Sequence, residues 1–171
     1  MIKNNTLQIL SFFKSNIPVF ILFFSVLNEF DLNYFISTKF SFNFIFILIF
    51  YWYLKNPSQL PVSLIFLAGL FNDVLNNSPI GLSSLNYLLI CVAASYIRHI
   101  TLRPNFKKDW IVFLITILFI NSINYFILFF IFAININTFN YVFNLLLTFN
   151  FFPIFYGLFA NLLKFISRQN D

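Results

Sequence analysis

Few side chains in this chain are able to do chemistry. Only five residues are acidic and one is a histidine. Asp73 stands apart because it lies inside the apolar run LIFLAGLFNDVL, four residues after Gly69. A carboxyl group in such a run is costly to bury, and burial favours its neutral form unless it is paired. Gly69, Asn72, Asp73 and Asn76 fall on or near one helical face by their three- and four-residue spacing. Two readings stay open for Asp73. It is either a functional polar group within a membrane, or a local hydrogen-bond acceptor that shapes the turn around Asn76, Asn77 and Ser78.

The remaining candidates carry less. His99 could sense pH, but no acidic residue is near it in sequence, and an interfacial place at a helix end is the plainer reading. Cys91 is the single cysteine, which allows no internal disulfide and no metal-binding spacing. Three glycines form no phosphate-cradling loop. Asn121 and Asn124 share one helical face, as do Asn140 and Asn144. They line a polar path or, on the plainer reading, hydrogen-bond between helices. The expectation is a protein that is not an enzyme and has no catalytic set, no cofactor and no metal.

The elements that hold these residues follow from composition. The chain of 171 residues is 60% hydrophobic and 9% charged, with a mean hydropathy of +0.86. Too few charges are present to cover a globular surface, so lipid is the expected solvent. The net charge of +5 is dispersed among apolar runs and forms no nucleic-acid-binding stripe. The apolar runs predict an all-α single membrane domain over residues 1–171. Six spans are expected, near 9–28, 40–55, 60–76, 80–98, 110–134 and 139–166. The second and third are short for a bilayer crossing. Barrel strands are excluded because the runs lack polar alternation.

With both termini in the cytoplasm, every Lys and Arg except Lys39 faces inward, and the positive-inside rule selects that orientation. Residues 28–41, 76–80 and 134–138 are then external. Tyr51, Trp52, Tyr53 and Trp110 are expected at the cytoplasmic interface, where amphipathic rings settle. Asp109 closes the basic loop that starts at His99, which leaves Asp73 as the one acid within a span. The same topology puts His99 and Asp73 on opposite sides, so they cannot share a catalytic triad. Pro153 should free the carbonyl of Phe149 and kink the last span. Gly157, Ala160 and Asn161 offer a small-residue face for a close helix crossing. Arg98, Arg103, Lys107 and Lys108 set topology and are candidates for contact with anionic lipid headgroups.

The segment from Pro61 to Tyr96 reads PVSLIFLAGLFNDVLNNSPIGLSSLNYLLICVAASY. It resembles the signature region of the bacterial rod shape-determining protein MreD family: a Gly-Leu-x-x-Asp helix, a small polar turn, Pro-x-Gly, then a Leu/Tyr-rich helix. The matching residues are Gly69, Leu70, Asp73, Pro79, Gly81 and Tyr87. The resemblance implies a non-enzymatic subunit of the cell-elongation machinery in the bacterial inner membrane. It implies work beside MreC, a single-span periplasmic partner, and with MreB, RodA and an elongation-specific penicillin-binding protein. The family's fold is similar to that of substrate-binding subunits of vitamin transporters, which supplies the alternative: a membrane-embedded small-molecule-binding subunit.

Overall fold

The computed structural model describes residues 16–28, 41–100, 105–133 and 138–167. All elements among these residues are helical. We number them α1 (Ile17–Asn28), α2 (Phe44–Lys55), α3 (Val62–Leu75), α4 (Leu82–Ile100), α5 (Phe106–Phe126) and α6 (Thr138–Ser167). A short 3-10 turn, Pro57–Gln59, links α2 to α3, and a π-helical turn, Ile127–Ile131, extends α5. Two of these helical stretches, Phe106–Ile131 and Thr138–Ser167, are long and apolar enough to cross a membrane. Residues 29–40 of the predicted external connection over 28–41, Lys3, Lys14, Arg103, Arg168 and residues 134–137 lie outside the described residues.

Consecutive helices from α2 onward alternate in direction, and α2 runs through the centre. Its sequence, FIFILIFYWYLK, is apolar all round, and nine of its residues are buried: Phe44, Phe46 to Trp52 and Leu54. A helix with no polar face must be surrounded. The ring-on-ring contacts of α2 show how. Phe50 packs against Phe113 of α5 and Phe152 of α6, with centroids 5.1 and 5.9 Å away, and Phe46 meets the edge of Tyr87 on α4 at 6.0 Å. This central place corrects the expectation for two rings. Tyr51 and Trp52 are 2% and 0% exposed, and the Trp52 indole N–H donates to Gln59 Oε1 at 3.1 Å. They are core residues rather than anchors at an interface.

The α5–α6 contact contains the consequence of Pro153. Helix α6 continues through this proline, which has no N–H to give to the carbonyl four residues earlier. That carbonyl, of Phe149, accepts instead from Trp110 Nε1 at 3.2 Å. The Trp110 and Phe149 rings stack above it, 4.9 Å apart and 14° from parallel. Trp110 is therefore turned inward onto α6. No helix crosses closely at Gly157: a Cβ there would meet nothing within 4 Å, because Gly157 lies on the exposed face of α6 while its neighbours Tyr156 and Phe159 turn toward α2.

Candidate functional site

Asp73 is the last-turn residue of α3 and is 0% exposed. Its carboxylate reaches across the turn to the start of α4. Oδ2 accepts from the Gly81 N–H at 2.7 Å, and the Ser83 N–H is shared between Oδ1 and Oδ2 at 3.0 and 3.2 Å. Ser78 Oγ donates to Oδ1 at 2.9 Å. Every one of these bonds is accepted and none is given. The arrangement is that of a carboxylate capping a helix N-terminus, where free N–H groups and the helix dipole both favour negative charge. The cap comes from a different helix, ten residues earlier than Ser83 in the chain.

The turn is shaped to allow this. Gly81 has φ +97° and Asn77 φ +50°, the left-handed region that glycine and asparagine tolerate best. The Ser78 N–H returns to the Asp73 carbonyl at 3.0 Å. One turn below, Gly69 lies against the backbone of Ser84. A Cβ at Gly69 would stand 2.5 Å from Ser84 Cα, so no side chain fits. Ser84 Oγ donates to the Phe66 carbonyl at 3.0 Å, and Asn72 Nδ2 donates to Ser83 Oγ at 3.0 Å. Helices α3 and α4 are thus clasped by Asp73 at the turn and by the Gly69–Ser84 contact one helical turn further down.

The predicted residues divide accordingly. Gly69, Asp73 and Gly81 form one unit with Ser78, Ser83 and Ser84, and Pro79 lies within its turn. Leu70 is partly buried beside the clasp. Tyr87 is buried one turn deeper, against α2. His99 is exposed at the far end of α4, about 24 Å from Ser83 at 1.5 Å per residue, well away from Asp73. Arg98, Lys107 and Lys108 are exposed near the α4–α5 connection.

A second polar cluster, which the hydropathy pattern does not predict, surrounds Asp109. Asp109 lies in the first turn of α5 rather than in a loop, and it is 1% exposed. Lys55 Nζ stands 2.7 Å from Asp109 Oδ2, Tyr156 Oη donates to the same oxygen at 3.2 Å, and Lys55 lies 5.4 Å from the centre of the Tyr156 ring. This partly buried ion pair ties the C-terminal end of α2 to α5 and α6. Asn105 caps α5 by accepting from the Lys107 N–H at 3.1 Å. An Asn at the head of a helical run is an N-cap signal; applied to Asn105 it begins the helix at Phe106 and puts Asp109 inside it.

The asparagines meet at the opposite end of the bundle from this pair. Asn43 and Asn144 bond to each other at 3.2 Å, Asn144 donates to Ser41 Oγ at 2.7 Å, and the Asn43 N–H donates to Thr148 Oγ1 at 3.0 Å. Tyr141 Oη donates to the Asn121 carbonyl at 2.8 Å. Several of these amides therefore do bond between helices. They also surround a cavity of about 540 Å³ whose lining includes Asn43, Asn72, Asn86, Asn121, Asn124 and Asn144.

Comparison of the chain with protein-family models, curated proteins and solved structures gives no match.

Proposed function

We propose that the chain is a polytopic protein of the bacterial inner membrane, with six spans and both termini in the cytoplasm. We further propose that it is a non-enzymatic subunit of the cell-elongation machinery, scaffolding peptidoglycan synthesis beside an MreC-like periplasmic partner, with MreB, RodA and an elongation penicillin-binding protein in the same assembly. The membrane reading is supported by the outward surface. Phe71, Val74, Val92, Ile115, Phe119 and Phe130 are each more than half exposed, and lipid is the solvent that suits them.

The observation that carries the scaffold reading is the clasp. The family-like residues Gly69, Asp73 and Gly81 spend their chemistry on one another and on Ser78, Ser83 and Ser84. The motif makes a stiff α3–α4 hairpin whose outward face, with Phe66, Leu67, Phe71 and Val74, stays exposed. A stiff hairpin with an apolar outer face suits the reception of a partner's transmembrane segment. The test is crosslinking of the tagged protein in its native membrane, followed by identification of what is captured. Capture of the single-span periplasmic partner supports the reading, and capture of a transporter energising module alone overturns it. The second reading, a small-molecule-binding subunit of a transporter, is favoured by one observation, the amide-lined cavity.

A further inference from the structure

The cavity exists because α2 starts late. Its first residue, Phe44, follows Asn43, whose partners Asn144 and Thr148 lie six and ten residues into α6. At 1.5 Å per residue this is about 9 and 15 Å from the start of α6. The central helix therefore fills only part of the bundle's height. Beyond its N-terminus lies the space of about 540 Å³. An adjoining space of about 220 Å³ shares Ser41, Asn43, Phe46, Asn72, Tyr87 and Asn144 with it. Broken or short helices whose polar ends face a shared cavity are a recurrent way of building a binding site at membrane depth.

The chemistry of the lining is narrow. Seven asparagines contribute, drawn from the start of α2 and from α3, α4, α5 and α6. No described lining residue carries a charge, and Asp73 faces its own turn instead. An amide presents both a donor and an acceptor, which matches hydroxyl and amide groups, each of them able to give and to receive. Phe46, Tyr87 and Tyr141 add an apolar wall. Two acceptors remain unused: Oδ1 of Asn86 and Oδ1 of Asn124 are buried with no hydrogen-bond partner, and Asn86 is only 4% exposed. Buried polar atoms are as a rule paired, and both residues belong to the lining, so a turn of either amide toward the space brings its orphaned oxygen to a donor there.

We propose that this cavity binds a compact, uncharged, hydroxyl- or amide-rich group that donates hydrogen bonds to Asn86 Oδ1 and Asn124 Oδ1. A volume of this size is typical of small-molecule sites. Neutrality follows from the uncharged lining among the described residues, because an ion facing them would be desolvated without compensation. The group is either a free sugar or polyol, or the sugar headgroup of a glycolipid. The inference is independent of the elongation reading, since a scaffold and a transporter subunit could each hold such a ligand.

The test uses the full chain in phosphatidylcholine nanodiscs and reads thermal unfolding through tryptophan fluorescence. One arm adds N-acetylglucosamine or myo-inositol up to high millimolar concentration. The other arm incorporates monogalactosyldiacylglycerol into the nanodisc. The expected result is a saturable rise of Tm in one arm; the first marks a soluble ligand and the second a headgroup. Asn86→Leu, or Asn124→Leu should the first variant fail to fold, should weaken that response at least tenfold in apparent Kd. Asn150→Leu, on the exposed side of α6, should leave it unchanged. No rise with any of the three probes in the wild-type protein marks a cavity that holds water only, and overturns the proposal. An equal rise in the Asn86→Leu and wild-type proteins overturns it as well.

Discussion

Asp73 and Gly81, eight residues apart, are joined by a 2.7 Å hydrogen bond from the Gly81 N–H to the Asp73 carboxylate. Around it, Ser78 Oγ and the Ser83 N–H also donate to Asp73. The acid is used up inside the fold as the cap of α4, and this changes what its replacement should do.

Asp73→Asn keeps the shape but turns one accepting oxygen into a donor that must face an N–H group. Asp73→Leu removes all the acceptors and leaves the Gly81 and Ser83 N–H groups buried without partners. Both variants should lose stability, by about 1–2 kcal/mol for Asn and about 3 kcal/mol or more for Leu. Thermal unfolding of the purified protein measures the order. A fully stable Asp73→Leu protein would contradict the cap.

The Lys55–Asp109 pair is hydrogen-bonded and buried on its Asp109 side, so breaking one side should cost more than removing both. Asp109→Leu alone removes the partner of the Lys55 ammonium, whose side chain is 19% exposed and partly solvated, and should destabilise by about 1–2 kcal/mol. Lys55→Met combined with Asp109→Leu should recover most of that loss. A double-mutant cycle on unfolding reports the coupling. Strict additivity of the two substitutions would show that the pair contributes nothing.

Trp110 and Pro153 should be epistatic. Trp110→Phe keeps the stack on Phe149 but removes the N–H that its carbonyl accepts, at a cost of about 1 kcal/mol. Pro153→Ala in the same chain supplies a backbone N–H to that carbonyl and should restore the loss. If Pro153→Ala deepens the defect instead, the indole bond is not the compensation for the proline.

The proposed topology is checked by thiol labelling in a Cys91→Ala background. Cysteine in place of Asn76, in the α3–α4 turn, should react with an impermeant reagent in intact spheroplasts. Cysteine in place of Lys107, at the start of α5, should react only after lysis. The opposite pattern would invert the assignment.

How far the sequence carries differs from residue to residue. Periodicity and turn chemistry are local, so the α3–α4 hairpin was legible: the spacing of Gly69 and Asp73 and the Asn-Asn-Ser-Pro turn point to it directly. The limits of α2, α3, α4 and α6 lie within four residues of the apolar runs. Hydropathy alone assigns Asp109 to the preceding basic loop, whereas Asn105 as N-cap marks the helix start. The inward turn of Tyr51 and Trp52 depends on α2 becoming the central helix, which only the packing decides. The cavity was out of reach for a similar reason. Asn43, Asn86 and Asn124 lie on separate helices, and their convergence depends on how far α2 is offset along α6.

The central claim, service in cell elongation, is tested most directly by depleting the protein in its native bacterium and measuring cell length and width by microscopy. The account predicts rounding and widening of the cells as the protein is lost, reversed by the wild-type chain and not by the Asp73→Leu variant. Cells that keep their rod shape on depletion, while losing uptake of a solute, would contradict it.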